Sequence, residues 1–243
     1  MSQGNSTSSP TGHLIRTDVR QGYAAWADGY DAQDNPMIAA VEHHLDRHPP
    51  PFAGARMLDI GCGTGRILAR ALACGATSVV GLDGSAAMLA QAAKRMAGET
   101  AAGRARLIQA DLDGDWSALP VAAFDLAVIT LVLEHCPQVS HTVARAAHHL
   151  APGGLLVVAE IHPDMLATDL GGHFERDGVT YALPSHPHDR TELAAALRAA
   201  GFAPPQFEEM HADADTIAAI PKFAKRAGSG VLLALRARRL PIP

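Results

Sequence analysis

The sequence predicts an α/β fold in which a mainly parallel sheet carries helices on both faces. Short apolar strands alternate with helical segments through residue 161. The first of these strands runs into a glycine-rich turn that opens a helix, LDIGCGTG at 58–65. Acidic residues, Asp83 and Asp111, end the next two strands. Because ligands of such sheets bind at the C-terminal ends of the strands, the functional residues are expected at this edge.

The N-terminal segment is expected to form a polar, disordered tail over 1–15 and a helical cap over 16–50. Within the cap, helices are predicted near 17–30 and 36–47. Asn35 and Pro36 suit the start of the second helix, as N-cap and first-turn residue.

The remaining elements follow from the periodicity of apolar residues. Strands are predicted near 55–60, 78–83, 105–110, 124–130 and 154–161, and two late strands near 206–211 and 231–239. Helices are predicted near 65–74, 85–97, 137–150, 189–200 and 215–227. A single domain over 16–243 is expected, with a cofactor-binding core at 55–161, a lid at 162–188 and a C-terminal part of the sheet at 189–243.

Three glycines alternate through the turn after the first strand, at Gly61, Gly63 and Gly65. Glycine lets the backbone bend sharply and approach a ligand, while the free N–H groups of the following helix point toward it. The dinucleotide-binding fingerprint would place its third glycine where this chain has Arg66. The spacing therefore argues against a nicotinamide-dependent oxidoreductase.

Asp83 lies about twenty residues beyond the glycines, the distance at which an acidic side chain reaches ribose hydroxyls in nucleotide-binding sheets. Together with Asp111 and the segments 124–135 and 150–161, this pattern resembles the class I S-adenosylmethionine-dependent methyltransferases over roughly residues 55–161. The resemblance implies a Rossmann-like sheet, in which the two late strands pair antiparallel at the sheet edge, and S-adenosylmethionine as cofactor.

In that family, the glycine loop contacts the amino acid part of the cofactor. The resemblance implies that Asp83 binds the ribose hydroxyls and that Asp111 reads the adenine amino group. Asp59 is expected to organise the loop by accepting backbone hydrogen bonds. The full predicted cofactor-binding set is Tyr23, Tyr30, Asp59, Gly61, Cys62, Gly63, Gly65, Asp83, Gly84, Met88, Ala110, Asp111, Leu112, Thr130 and Leu131.

Methyl transfer from a sulfonium is an in-line displacement, so most of its acceleration comes from positioning. A base is needed only where the acceptor atom keeps its proton, and histidine suits that role. The predicted catalytic residues are His162, at a strand tip, and then His186, in the lid. The predicted substrate-binding residues are Trp26, His135, His173 and His188.

Other interpretations of these side chains stay open. Each histidine could instead be solvated or make a structural hydrogen bond, and the aromatic stripe of Tyr23, Trp26 and Tyr30 could be core packing rather than a cofactor cover. Four helical histidines are expected at the surface: His43, His44, His148 and His149.

Composition narrows the class of partner. A net charge of −5 and a pI near 6.2 argue against nucleic acid or an anionic membrane as partner, which leaves a small-molecule methyl acceptor. No apolar run is long enough to span a bilayer, and a cytoplasmic protein is expected. The three cysteines are scattered, and no recognisable ligand spacing is present, so neither disulfides nor a metal is predicted.

The predicted reaction is methylation of an oxygen, nitrogen or carbon of a metabolite, with aromatic or heteroaromatic acceptors of a natural-product or cofactor pathway favoured. The N-P-P-Y motif of amino-methylating nucleic-acid enzymes is absent, since Thr130, Leu131 and Val132 occupy its place. Two alternatives remain: a nicotinamide-dependent oxidoreductase, and a cofactor-binding regulatory protein without catalysis.

Overall fold

The computed structural model describes residues 13–31, 34–167 and 172–241. The strands are β1 His13–Arg16, β2 Arg56–Ile60, β3 Ser78–Asp83, β4 Ala105–Gln109, β5 Phe124–Thr130, β6 Leu150–Ile161, β7 His173–Arg176, β8 Val179–Ala182, β9 Gln206–His211 and β10 Gly230–Arg238. The α-helices are α1 Val19–Trp26, α2 Pro36–Arg47, α3 Arg66–Ala73, α4 Ala86–Arg95, α5 Ala97–Ala101, α6 Val139–His149, α7 Pro163–Leu166, α8 Arg190–Ala199 and α9 Ala214–Ala219. Short 3₁₀ turns lie at Leu133–His135 and Pro221–Arg226.

The central sheet has seven strands in the order β4-β3-β2-β5-β6-β10-β9. Strands β2 to β6 are parallel, whereas β10 runs antiparallel to both β6 and β9. This arrangement confirms the predicted α/β, Rossmann-like sheet with late antiparallel strands. Order along the sheet reverses between β2 and β5, which is where such sheets bind ligands.

Apolar side chains cover both faces of the sheet. On one face, Leu58 and Ile129 pack in a core that includes residues of α6 and α8. On the other face, Met57 and Val128 pack with residues of α2 and α3. The central strands are apolar on both sides because helices shield each face from water.

The residues predicted to start α2 and to end α8 have the expected geometry. The Asn35 side chain accepts a hydrogen bond of 2.9 Å from the backbone N–H of Met37, and Pro36 is the first helical residue of α2. Helix α8 is followed by Gly201 with φ of 80°, a conformation that glycine adopts without a Cβ clash.

A second, three-stranded sheet lies in regions predicted to be irregular. It has the order β1-β8-β7, with β1 parallel to β8 and β7 antiparallel to β8. The hairpin turns at Asp177 and Gly178, both with positive φ, as the sequence suggested. Strand β1 begins at residue 13, inside the expected tail, whose residues 1–12 lie outside the described residues.

Two of the four histidines expected at the surface are buried instead. His44 is 6% exposed, and burial lowers its pKa to about 4. His149 is 3% exposed, its pKa is lowered by burial, and its Nδ1 lies 2.9 Å from the Pro120 carbonyl oxygen. Helix position alone does not show which face a neighbouring strand or loop will cover.

Two carboxyl groups are buried at the tips of strands β2 and β6. Among the described residues, neither oxygen of Asp59 has a hydrogen-bond partner, and burial followed by repulsion from Asp83 raises the Asp59 pKa to about 8. Burial also raises the pKa of Glu160 to about 8, although its oxygens accept backbone hydrogen bonds from Val132 N–H at 2.9 and 3.1 Å. Both groups are thus protonated in the folded protein at neutral pH.

In the described part of the chain, no helix combines the length and apolar character needed to cross a bilayer.

Truncation of Leu58 should destabilise the fold strongly. Leu58 is fully buried in the central strand β2, so Leu58→Ala removes apolar contacts and leaves a cavity. The free energy of unfolding should fall by about 2–5 kcal/mol in urea titrations. Val121→Ala, at a side chain 61% exposed, is the control and should change it by less than about 0.5 kcal/mol. Equal losses in both variants would contradict the assigned core.

The buried Asp59 should make stability fall as pH rises. Its folded pKa of about 8 lies above the unfolded value of about 3.9, so between these values the unfolded state binds fewer protons than the folded state. The free energy of unfolding therefore decreases with rising pH, by about 1.4 kcal/mol per pH unit for this group. Urea titrations at pH 5, 6 and 7 measure this dependence. The free energy of unfolding of Asp59→Asn should fall less steeply with pH than that of the wild type, by about 1.4 kcal/mol per pH unit. Identical slopes would mean that Asp59 is ionised in the folded protein.

Candidate active site

A cavity of about 650 Å³ opens at the C-terminal edge of the parallel strands. The turn after β2, the ends of β3 and β5, the loop after β4 and helix α1 form its walls. The predicted site residues that line it are Tyr23, Tyr30, Gly61, Gly63, Asp83, Gly84, Met88, Asp111, Leu112, Thr130, Leu131 and His135. The fold thus brings most of the predicted cofactor set to one place.

Of the three glycines in the turn, one faces open space and two are closely packed. Gly63, with φ of 52°, has no atom within 4 Å of where a Cβ would lie, so the backbone is open to a ligand. A Cβ on Gly61 would lie 2.3 Å from a methyl of Val132. Gly65 starts α3, and its Cβ position is 3.2 Å from the Cβ of Ala92 on α4, away from the cavity. Gly65 therefore serves packing rather than lining.

Asp83 joins the glycine turn to the start of α4. Its Oδ2 accepts a hydrogen bond of 2.8 Å from Gly63 N–H, and its Oδ1 accepts one of 2.8 Å from Ser85 N–H. Burial raises the pKa of Asp83, and the two backbone hydrogen bonds oppose that shift. Each carboxylate oxygen retains a lone pair for a further donor. The cavity wall thus presents an oriented double acceptor.

Two predicted residues lie beneath the turn instead of in the wall. The expectation that Asp59 accepts backbone hydrogen bonds is wrong, because neither of its oxygens has a partner within the described residues. Cys62 packs on Gly81, where a Cβ would lie 2.7 Å from the Cys62 sulfur. Burial raises the pKa of the Cys62 thiol well above its usual value, so this cysteine is not an activated nucleophile.

The Asp111 end of the cavity is partly open to solvent. Arg20 of α1 forms an ion pair with Asp111, and both side chains are about half exposed or more, at 63% and 47%. Ala110, predicted to bind cofactor, does not line the cavity; its N–H donates to the Asp83 carbonyl oxygen at 3.1 Å. The ion pair connects helix α1 to the loop after β4.

The opposite end is built by the turn after β5. Leu131 adopts φ of 56°, an uncommon conformation for a non-glycine residue. The turn is fixed by Leu131 N–H, which donates to the Ala159 carbonyl at 3.1 Å, and by Val132 N–H, which donates to Glu160. The anchored backbone places the next 3₁₀ turn, and with it His135, in the cavity wall.

His135 is held by hydrogen bonds at both ring nitrogens. Nδ1 lies 2.9 Å from the Pro184 carbonyl oxygen, and Nε2 lies 2.9 Å from the hydroxyl of Tyr23. A carbonyl oxygen can only accept, so Nδ1 carries the hydrogen and Nε2 of the neutral ring accepts from Tyr23. Burial raises the pKa of Tyr23 well above its usual value, which keeps this hydroxyl protonated. Nε2 therefore accepts a hydrogen bond from Tyr23, and both residues line the cavity.

The two predicted catalytic histidines lie elsewhere. His162 caps α7, its Nδ1 accepting from Asp164 N–H at 3.1 Å, and its ring fills the space beside Gly230. His186 lines a separate cavity of about 10 Å³ and donates its backbone N–H to the Glu134 carbonyl at 2.7 Å. Neither side chain lines the large cavity, and helix α7, which follows His162, packs on β10.

Three predicted substrate-binding residues also lie outside the cavity wall. Trp26 stacks on Phe174, with ring centroids 4.4 Å apart, so it packs α1 against the small sheet. Nε2 of His188 donates to the Leu133 and Cys136 carbonyl oxygens at 3.1 and 2.9 Å, and this ring is structural. His173 lies exposed on β7. The fourth, His135, does line the cavity.

Several wall residues were not predicted. They are Asp18, Val19, Arg20, Gln21, Ser85, Asp113, Val132, Cys136 and Pro184. Ser85 had a local signal, since an N-cap serine after a strand places its helix start beside the ligand edge. Arg20 and Pro184 had none, because their position depends on how α1 and the segment after β8 fold over the sheet.

Comparison with known proteins agrees with this geometry. A family described as "Methyltransferase domain" matches residues 58–156. The chain is 36% identical over 190 residues to a ubiquinone biosynthesis O-methyltransferase of Xylella fastidiosa, covering 74% of each chain. It is 32% identical over 149 residues to the enzyme of the same name from Sinorhizobium fredii, covering 60% of this chain and 57% of that one.

Among solved structures, an S-adenosylmethionine-dependent methyltransferase from Mesorhizobium loti is similar, with a TM-score of 0.67 and 28% identity. The match covers 84% of this chain and all (100%) of that one. The chain thus has methyltransferases as relatives, in agreement with its sheet order, its glycine turn and the acidic residues at its strand tips. The chain belongs to the class I S-adenosylmethionine-dependent methyltransferases.

Proposed function

We propose that this methyltransferase transfers the methyl group to a hydroxyl oxygen of a small aromatic acceptor, with His135 as the general base. The observation that carries the proposal is the orientation of His135, whose Nδ1 is bonded to Pro184 and whose Nε2 accepts from Tyr23 in the cavity wall. Relatives named as O-methyltransferases support oxygen as the acceptor atom.

The cavity residues fit S-adenosylmethionine. Asp83 offers two oriented acceptor oxygens for ribose hydroxyls, and Gly63 leaves its backbone open for close approach. The carboxyl of Asp59, directly beneath the turn, has no partner within the described residues, and its oxygens can accept a hydrogen bond from the amino group of the cofactor. Asp111, at the more exposed end, is in place to accept from the adenine amino group after parting from Arg20.

The remaining wall suits a flat, neutral acceptor. Tyr23, Tyr30 and Leu131 present aromatic and aliphatic surface next to His135. A net charge of −5 disfavours a nucleic acid acceptor, since nucleic acids select basic surfaces. We therefore favour a metabolite of a natural-product or cofactor pathway over a macromolecule.

S-adenosylmethionine supplies an electrophilic methyl group on a sulfonium. The acceptor hydroxyl would replace the Tyr23 hydroxyl at Nε2 of His135 and give its proton to that nitrogen. The oxygen–methyl bond forms as the methyl–sulfur bond breaks. Pro184 keeps the Nδ1–H in place, so the ring stays aligned as it becomes positively charged. Glu134, whose oxygen lies 3.8 Å from Nε2, stabilises that charge.

A non-catalytic, cofactor-binding protein would share the Asp83 end of the cavity but would not need His135. Substitution of Asp83 therefore tests cofactor binding, and substitution of His135 tests catalysis.

Loss of the Asp83 carboxylate should weaken cofactor binding. Asp83→Ala removes charge-assisted hydrogen bonds worth about 1.5–3 kcal/mol, so the dissociation constant of S-adenosylhomocysteine should rise roughly ten- to hundred-fold. Isothermal titration calorimetry measures the constant, and circular dichroism checks folding. The control is Asp115→Ala, outside the cavity, which should bind like the wild type. Unchanged affinity in Asp83→Ala would place the ribose elsewhere.

Loss of His135 should lower turnover but spare cofactor binding. His135→Ala removes the proposed base, which should lower kcat by about 10²–10⁴, while the constant for S-adenosylhomocysteine changes less than about two-fold. Labelled methyl transfer to a panel of phenols and catechols measures turnover. His162→Ala and His186→Ala are matched controls with side chains outside the cavity. Full turnover in His135→Ala would refute the base, and no transfer by wild-type protein to any phenol would refute the acceptor class.

A further inference from the structure

A cluster of two imidazoles and a carboxylate lies away from the proposed active site. His44 and His48 come from the C-terminal end of helix α2, and Glu208 comes from the edge strand β9. None of the three lines the active-site cavity. Methyl transfer as proposed above therefore makes no use of them.

The three side chains converge on one point. Oε2 of Glu208 lies 3.3 Å from Nδ1 of His48 and 3.7 Å from Nε2 of His44, and all three atoms lie within 4.8 Å of one another. The ligands of a tetrahedral zinc ion sit about 2.0–2.2 Å from the metal, which puts them about 3.3–3.5 Å apart. The cluster needs only small side-chain shifts to reach that geometry.

The local structure of α2 and β9 explains why these side chains meet. His44 lies in the last turn of α2 and His48 is the C-cap residue four positions later, and their rings stack at this helix end with centroids 4.9 Å apart. Glu208 pairs with Ala234 on β10, a strand that packs against α2. The spacing of the two histidines is the one by which helices present paired imidazoles to zinc.

Hydrogen bonding within the protein does not account for the cluster. Oε2 of Glu208 is buried and has no hydrogen-bond partner within the described residues, and the two imidazole nitrogens approach it without forming a hydrogen bond. A buried carboxylate oxygen without a donor is unfavourable. A cation bound to both imidazoles and to this oxygen would remove that cost.

A metal ion can reach the cluster from solvent, and nearby charges affect how tightly the ion would bind. His48 and Glu208 have side chains 45% and 39% exposed, so an ion can reach the ligands from solvent. The carbonyl end of α2 favours cations. Arg236 already donates to the His48 carbonyl there, and its positive charge opposes a second cation. We expect this repulsion to limit zinc affinity to the micromolar range.

We propose that His44, His48 and Glu208 form a zinc-binding site, completed by water, that fastens helix α2 to the edge strand β9. Two imidazoles and one carboxylate are a ligand set that zinc accepts with a fourth position open. The site would join the N-terminal cap to an edge strand of the sheet.

The test is titration of metal-free, full-length protein with zinc chloride in competition with a chromogenic zinc chelator. Wild-type protein should bind one equivalent with a micromolar dissociation constant, and zinc should raise its Tm. Glu208→Gln and His48→Ala alter exposed or half-exposed ligands and should still fold. Each should weaken zinc binding at least ten-fold and abolish the rise in Tm. His43→Ala, on the same helix but outside the cluster, should behave as wild type.

Two results would overturn the proposal. One is the absence of zinc binding to wild-type protein at 100-fold the protein concentration. The other is equal zinc binding by Glu208→Gln, His48→Ala and wild type, which would put the ion on other residues, such as the exposed Cys74 or another of the histidines.

Discussion

The bidentate acceptance of two backbone N–H groups by Asp83 is the interaction on which the site depends. By bonding Gly63 and Ser85, one carboxylate fixes the glycine turn after β2 and the start of α4 relative to each other. Strand β3 presents this carboxylate beside the turn because β2 and β3 are parallel neighbours in register. The fixed glycine turn and the oriented acceptor pair are thus consequences of the pairing of β2 with β3.

A second anchoring serves the opposite end of the cavity. Glu160, buried at the tip of β6, accepts from Val132 and so fixes the turn that leads to His135. The parallel pairing of β5 and β6 brings the two strand tips together. In the proposed function, cofactor binding and proton removal each depend on a carboxyl group at a strand tip, Asp83 on β3 and Glu160 on β6.

The sequence predicted what local patterns determine. The alternation of short apolar strands with helical segments predicted the parallel sheet, Asn35 predicted the start of α2, and the distance from the glycines to Asp83 predicted the acidic residue beside the glycine turn. The two histidines predicted to be catalytic, His162 and His186, do not line the cavity, because their placement depends on packing between distant segments. His162 follows a strand tip, but its ring packs beside Gly230. His135 lines the cavity, and its Nδ1 is hydrogen-bonded to the carbonyl of Pro184, about fifty positions further along the chain.

The central claim is that this cavity places the cofactor with its ribose on Asp83 and its sulfur toward His135. A crystal structure of the protein with S-adenosylhomocysteine tests it most directly. We predict both ribose hydroxyls within hydrogen-bond distance of the Asp83 carboxylate, and the sulfur between the glycine turn and His135. A ligand bound outside the cavity, or reversed so that its adenine contacts His135, would contradict the account.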